Sequence, residues 1–196
     1  MPAPLEPGTF LIASLGLEDP AFSRTIVLIL QHMPDEVTLG VVLNRPLGER
    51  AKLYPREELD RLTLGMGRES AGRGEMFYQG GPVEPGSLIF LHRVEHLRGE
   101  ATPIRPGLFA GGDLDSLREY RAGAGESPFL RFFLGYSEWQ PGQLESEIAL
   151  GAWILAPGDL DLIFSDDPGA MWQQALIALG GKYVPMSFIP EDPTLN

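Results

Sequence analysis

The stretch TIVLILQHMPDEVTLGVVLN, residues 25–44, decides the fold of this chain. Residues 25–32 are β-branched and aliphatic, a composition that predicts a buried strand. The MPDE segment at 33–36 turns the chain, and residues 37–44 predict a second strand that pairs with the first as a hairpin. Asn44-Arg45-Pro46 ends that strand, because proline lacks a ladder donor and disfavours helix at the residue before it. A hairpin is antiparallel, so the sheet is not purely parallel.

Outward from this hairpin, strands and helices interleave without a strict βαβ rhythm. Apolar runs predict strands at 129–136, 152–157 and 160–165, and Gly80-Gly81-Pro82 forms a turn before another apolar run. Caps and apolar spacing predict helices at 55–62, 113–123, 142–149 and 167–180. We therefore expect an α+β fold, a single domain over 1–196 in which a mixed or antiparallel β-sheet is surrounded by helices.

The composition limits the classes of partner and cofactor. The 27 acidic residues outnumber 15 scattered basic ones, for a net charge of −12, which argues against direct DNA binding. The absence of cysteine excludes disulfides, a thiolate nucleophile and cysteine metal sites. The first basic residue is Arg24, and no apolar run approaches the roughly 18 residues of a membrane span. We expect a cytoplasmic protein with no membrane contact and no cofactor.

The segment LHRVEHLRG, residues 91–99, contains an H-x-x-E-H pattern in His92, Glu95 and His96. On a helix, two such histidines hold a catalytic zinc and the glutamate acts on its water. The competing interpretation is a strand over SLIFLH, which four consecutive apolar residues favour. A strand places the two histidines where they do not chelate together, so we expect no metal site here.

A second catalytic pattern is the sequence GYSEWQPGQ, in which Ser137 lies between a predicted strand and a predicted helix. That is the setting of a serine nucleophile elbow, but the pattern fails because Trp139 stands where the second glycine belongs. The favoured interpretation is an ordinary turn in which Trp139 packs under the helix. No catalytic residue is predicted.

The remaining candidates are polar residues at turns. Asn44-Arg45, Gly80-Gly81, and Gln143 with Glu147 one helical turn apart are positions where a small anion or amide could bind. We also include His92 and Trp139 among the candidate ligand-binding residues. The alternative is structural: Asn44 and Arg45 brace their loop, and Glu147 pairs with an arginine.

Six ordered blocks of the sequence resemble the YqgE/AlgH family of bacterial proteins. They are GTFLIASLGLEDPAFSRTIVLILQH (8–32), LGVVLNRPL (39–47), YQGGPVE (78–84), FLHR (90–93), FLGYSEWQPGQLESEIALGAW (133–153) and WQQALIALGGKY (172–183). The resemblance implies a one-domain α+β fold. The founding member is associated with regulation of alginate production, which attaches the description of transcriptional regulator to the family. The resemblance implies no catalytic residues.

Two functional hypotheses follow. The first is a non-enzymatic protein that acts through a protein partner and influences transcription indirectly. The alternative is a small-ligand-binding protein or an unrecognised enzyme, with a cleft lined by the Asn44/Arg45, Gly80/Gly81 and Gln143/Glu147 turns. Whether these three turns converge on one cleft is the structural question that the sequence poses.

Overall fold

The computed structural model describes residues 3–17, 19–48, 57, 77–113, 115–117, 119–120 and 129–190, without the side chains at 96, 98 and 99. The predicted helix at 55–62 lies outside the described residues, apart from Glu57. The predicted helix at 113–123 is described in part: residues 115–117 and 119–120 are helical. Asp113 begins it as predicted, because its Oδ2 accepts a hydrogen bond of 2.6 Å from the Ser116 amide.

The described strands form one sheet of nine strands in the order β6-β7-β5-β8-β3-β2-β1-β9, with β4 also paired to β8. The β2–β3 pair is antiparallel, so the predicted hairpin is confirmed. Only the β4–β8 pair is parallel among the described pairs, and the α+β assignment with a mixed sheet is therefore confirmed. The strands are β1 (Thr9–Ala13), β2 (Ile26–Gln31), β3 (Thr38–Val42), β4 (Phe77–Gln79), β5 (Val83–His92), β6 (Thr102–Arg105), β7 (Leu108–Ala110), β8 (Leu130–Trp139) and β9 (Trp153–Pro157).

The helices with described bounds are short. They are α1 (Gln143–Ala149), α2 (Leu160–Ile163), α3 (Met171–Leu179), α4 (Tyr183–Ser187) and a 3-10 helix at Glu95–Glu100. The predicted helices at 142–149 and 167–180 correspond to α1 and α3, although α3 begins three residues later than the proline that was expected to open it. None of the helices in the described ranges is long and apolar enough to cross a membrane.

The predicted strand at 160–165 is wrong, because residues Leu160–Ile163 form helix α2. The Asp159 carboxylate caps this helix, and its Oδ1 accepts hydrogen bonds from the Asp161 amide at 2.8 Å and the Leu162 amide at 3.1 Å. A short apolar run does not distinguish a strand from a buried helical turn by periodicity. The aspartate before the run was the signal that favoured helix.

Strands β1 and β2 have an apolar core on each face of the sheet. Alternate residues of both strands enter two different clusters, as the period of two in a strand requires. Helix α3 packs on one face, which contains Phe10, Ile12, Ile26 and Leu28. Leu144 of α1 packs on the other, which contains Leu11, Ala13, Val27 and Ile29. Burial on both faces explains why residues 26–30 are apolar at every position.

The link between β4 and β5 crosses the backbone of β8. Phe133 pairs with Tyr78 of β4 on one edge and with Ile89 of β5 on the other, so the link at 80–82 must pass over the strand. A Cβ atom at Gly80 would lie 2.3 Å from the Gly135 carbonyl oxygen, and one at Gly81 would lie 2.2 Å from Tyr136 backbone atoms. Glycine is required at this crossing, which we call the β8 crossing, because two backbones are in direct contact.

Candidate functional site

A cleft of about 470 Å³ opens between the residues that flank the β2–β3 hairpin and the C-terminal helical segment. It brings together residues that are more than 120 positions apart in sequence, so no local pattern marks it. The residues that line this cleft, which we call the Arg24 cleft, are Arg24, Asn44, Arg45, Pro168, Gly169, Trp172, Gln173, Ser187, Phe188, Ile189 and Pro190.

Asn44 fixes the hairpin side of the cleft. Its side chain is only 7% exposed. Its Oδ1 accepts a hydrogen bond of 3.0 Å from the Ile26 amide, and its Nδ2 donates one of 2.8 Å to the Arg24 carbonyl oxygen. The carboxamide thus joins the end of β3 to the start of β2. These hydrogen bonds support the structural alternative for Asn44. They also hold the backbone of Arg24 at the cleft.

Arg24 is held between two elements of the C-terminal segment. Its guanidinium carbon lies 4.7 Å from the centre of the Trp172 ring, and its Nη2 donates a hydrogen bond of 2.6 Å to the Ile189 carbonyl oxygen. Trp172 is itself fixed, since its Nε1 donates a hydrogen bond of 2.8 Å to the carbonyl oxygen of Ala13 at the end of β1. The guanidinium and the ring therefore form a cation–π pair, and the ring is itself anchored to the sheet.

Arg45 lies between the Arg24 cleft and a second, smaller cavity of about 70 Å³. Its Nη2 donates a hydrogen bond to the Ser23 carbonyl oxygen, which braces the loop as the structural alternative expected. The smaller cavity is lined by Pro20, Ala21, Val42, Arg45, Gln79, Gly81 and Pro82. The Asn44/Arg45 and Gly80/Gly81 turns therefore do converge, and Gly80 itself is buried in the β8 crossing.

Gln143 and Glu147 belong to a different cluster and line neither of these two cavities. Gln143 Nε2 donates a hydrogen bond of 2.9 Å to Glu147 Oε1, so the predicted one-turn spacing places the two side chains together. Glu147 Oε2 accepts hydrogen bonds from both indole nitrogens, at 3.0 Å from Trp139 and 2.8 Å from Trp153. The carboxylate thus orients two tryptophans, rather than pairing with an arginine in these contacts.

One loop connects the tryptophan cluster to the Arg24 cleft. The Phe22 ring lies 5.5 Å from the Trp153 ring and 6.2 Å from the Trp139 ring, measured between centroids. Two residues later in the same loop, Arg24 enters the cleft. The three predicted turns are therefore neighbours through this loop, and neither of the two cavities described above is lined by all three.

His92 and Ser137 are structural residues. The strand interpretation of SLIFLH is confirmed, because β5 continues to His92. The ring of His92 is 0% exposed; its Nδ1 lies 3.2 Å from the Val94 amide nitrogen and 3.1 Å from the Val94 carbonyl oxygen, and its Nε2 lies 3.1 Å from the Gly111 carbonyl oxygen. Ser137 is also 0% exposed, and its Oγ donates to the Gly80 carbonyl oxygen at 3.4 Å. His96 lies after the strand, in the 3-10 helix, and its side chain is outside the described part of the chain.

The described part of the chain contains no group of three or more His, Asp or Glu side chains placed to hold a metal ion. The cleft residues that sequence reasoning missed include Arg24, Trp172 and the exposed pair Phe188 and Ile189. Trp172 was interpreted as part of an apolar helix stripe, which it also is. The other three carry no local signal, because their role depends on a contact between positions 165 residues apart.

A family model and the sequences of known proteins match this chain over most of its length. A family model described as AlgH-like matches residues 10–184. A UPF0301 protein of Chlamydia abortus is 32% identical over 194 residues, which covers 98% of this chain and 96% of the relative. A UPF0301 protein of Chlorobium phaeobacteroides is 35% identical over 195 residues, with the same coverage of both chains.

Two solved structures share the fold. The solution structure of the AlgH protein from Pseudomonas aeruginosa has a TM-score of 0.65 at 24% identity, covering 98% of both chains. The crystal structure of protein DIP2367 from Corynebacterium diphtheriae has a TM-score of 0.70 at 22% identity, covering 96% of this chain and 95% of that one. Both matches span nearly the whole chain, so the described sheet and helices belong to one shared architecture.

Proposed function

We propose that this chain, which belongs to the AlgH-like family as its sequence blocks predict, is a non-enzymatic binding protein. In this proposal it holds a small ligand in the Arg24 cleft and acts in the cytoplasm through a protein partner. Any effect on gene expression is then indirect and passes through that partner.

The observation that carries the proposal is the cleft itself. Its volume of about 470 Å³ falls within the range of about 300–1,000 Å³ that is typical of small-molecule sites. Its lining combines aromatic rings and prolines with a few polar side chains. The residues that flank the β2–β3 hairpin form one side of the cleft, and the C-terminal segment forms the other. Rings and prolines beside a few oriented polar groups are features of small-ligand sites.

The burial of the two candidate catalytic residues, His92 and Ser137, favours binding over catalysis. A nucleophile or a general base has to reach a substrate. His92 and Ser137 are fully buried, and the hydrogen bonds given above engage both nitrogens of His92 and the hydroxyl of Ser137. Neither lines the Arg24 cleft.

The test is a ligand screen with a variant that fills the cleft. Gln173 lies on α3 and lines the cleft, whereas the adjacent Gln174 is exposed to solvent. A metabolite library is screened by ligand-observed NMR against the wild type, Gln173→Trp and Gln174→Trp. We expect at least one compound that binds the wild type and Gln174→Trp but not Gln173→Trp. Hits that bind all three proteins equally, or no hits, would refute the use of this cleft.

A second observation supports the protein partner. Phe188 is 66% exposed and Ile189 is 47% exposed, and the two follow α4 at the cleft. Exposed aromatic residues at a site are typical anchors of protein interfaces. The control is Leu150, which is 86% exposed at the end of α1. We expect an identified partner that the wild type and Leu150→Ser retain in a pull-down and Phe188→Ser loses; equal retention by all three would contradict this role.

A further inference from the structure

We propose that the Arg24 cleft is an anion site whose ligand carries a carboxylate or phosphoryl group attached to a flat apolar ring. This inference rests on the proposed function, since it specifies the chemical class of ligand that the cleft takes. It is argued from the charge of the lining, the geometry of Arg24 and the apolar surfaces beside it.

The charge of the lining is opposite to that of the protein. Two of the eleven lining residues are arginines and none is an aspartate or glutamate, although the whole chain has a net charge of −12. Asp167 is adjacent in sequence to the lining, but its Oδ1 accepts a hydrogen bond of 3.1 Å from the Ala170 amide. Asp166 pairs with Arg131 at 3.1 Å. A positive concavity on an acidic surface concentrates small anions.

Arg24 is oriented as a donor before any ligand arrives. A guanidinium has five N–H groups in one plane, and the bond to the Ile189 carbonyl uses one of them. The contact with Trp172, at 4.7 Å from the guanidinium carbon to the ring centre, helps to hold the side chain at the cleft, and a guanidinium can meet a carboxylate or phosphoryl group in two parallel hydrogen bonds. Arg45 adds a second positive charge to the same cleft.

The backbone of Arg24 is held in an uncommon conformation. Its φ of 52° lies in the left-handed region, which residues other than glycine seldom adopt. The Asn44 amide donates to the carbonyl oxygen of this residue and fixes the turn. Strained backbone of this kind is found where a side chain must be presented to a ligand.

The apolar surfaces define the rest of the ligand. Phe188, Pro168 and Pro190 line the cleft beside the two arginines, and the Trp172 ring that Arg24 contacts is buried. Flat rings pack well against such faces, and rings also stack on a guanidinium plane. Ser187 is buried and its Oγ donates to the Val184 carbonyl oxygen at 2.7 Å, so it contributes little polarity to the wall.

The experiment uses four probes and isothermal titration calorimetry. Benzoate and phenyl phosphate carry the anion on a ring, benzamide is the neutral counterpart of benzoate, and inorganic phosphate lacks the ring. We expect both ring anions to bind the wild type at least about tenfold more tightly than benzamide or inorganic phosphate, the difference typical of one charge-assisted hydrogen bond. The stronger of the two ring anions identifies the preferred anionic group.

Arg24→Gln and Arg93→Gln test the assignment. Both remove one positive charge and one cation–π contact, since Arg93 lies 5.3 Å from the Phe129 ring outside the cleft. We expect Arg24→Gln to weaken ring-anion binding at least about tenfold and Arg93→Gln to leave it unchanged. Arg24→Lys, which keeps the charge but loses the fork, should give an intermediate affinity.

Several outcomes would overturn the inference. Equal binding of benzamide and benzoate would show a neutral site and would leave the proposed ligand-binding function standing. Equal losses in Arg24→Gln and Arg93→Gln would show that overall charge, rather than this cleft, attracts the anion. If neither ring anion binds the wild type at millimolar concentration, the anion class is wrong, whereas the Gln173→Trp screen still decides the proposed function. The comparison of probes on the wild type stands even if Arg24→Gln does not fold.

Discussion

Replacing Asn44 with alanine removes two hydrogen bonds at one buried position. The Ile26 amide loses its partner inside the core, and an unpartnered buried donor costs about 1–3 kcal/mol. The Arg24 carbonyl oxygen loses the second bond, which contributes about 0.5–1.5 kcal/mol because that carbonyl is partly accessible to water. Together they predict a loss of about 1.5–4.5 kcal/mol in the free energy of unfolding.

Gln143→Ala is the matched control. Its carboxamide also makes two hydrogen bonds, to the Gln140 amide at 3.0 Å and to Glu147 at 2.9 Å, but it is exposed. Water replaces both bonds, so we expect a change within about 0.5 kcal/mol, as for most surface substitutions. Burial, rather than the number of bonds, is then the cause of the difference between the two variants.

The assay is urea unfolding followed by the fluorescence of the three tryptophans. A lower midpoint with an unchanged slope reports a loss of stability. For a chain of this size the loss corresponds to a fall in melting temperature of roughly 3–18 °C. We also expect Asn44→Ala to weaken ligand binding in the Arg24 cleft, because Arg24 loses the contact that fixes its backbone. A midpoint for Asn44→Ala equal to that of Gln143→Ala would refute the reasoning.

Three further predictions concern the crossing, a tyrosine and nucleic acid. Gly80→Ala forces a Cβ onto the Gly135 carbonyl and should cost more than about 3 kcal/mol, the upper end of ordinary overpacking. Gly142→Ala, with open space and a φ of 78°, should cost only about 1–2 kcal/mol in the same urea assay. Burial, and then the nearby carboxylates of Glu84 and Glu138, raise the pKa of Tyr136 above its usual 10.0, so the tyrosine stays neutral in the folded state while the unfolded chain ionises. Its contribution to stability is complete below pH 10 and is lost as the pH rises further; absorbance at 295 nm should show late ionisation that Glu84→Gln moves to lower pH. An electrophoretic shift assay with duplex DNA at about 50 mM salt should show no complex, because an acidic surface displaces few counterions there.

The sequence predicted the elements whose signals are local and strong. The hairpin at 25–44 was found because two aliphatic runs flank a turn, and burial of β1 and β2 on both faces explains that composition. Consecutive apolar residues likewise assigned SLIFLH to a strand, whereas the H-x-x-E-H zinc pattern requires a helix. The pairing of Gln143 with Glu147 followed from helical spacing. In each case the pattern of residues within the segment and the residues that flank it favour the same secondary structure.

Predictions failed where distant residues or competing local signals decide the structure. The 160–165 segment was assigned by its apolar composition, but the Asp159 cap made it helical. Glu147 was expected to meet an arginine, and it accepts from two indoles that reach it from β8 and β9. The Arg24 cleft depends on a bond between Arg24 and Ile189, and no pattern within either segment indicates that contact.

The β8 crossing has a consequence for the order in which the chain can fold during synthesis. The ribosome releases β4, the glycine link and β5 before β8 has been made, so two strands wait for the one that must lie between them. The β2–β3 hairpin can form early, whereas this half of the sheet can close only after residue 139 has emerged. Until then the waiting strands have unpaired edges of the kind that chaperones cover.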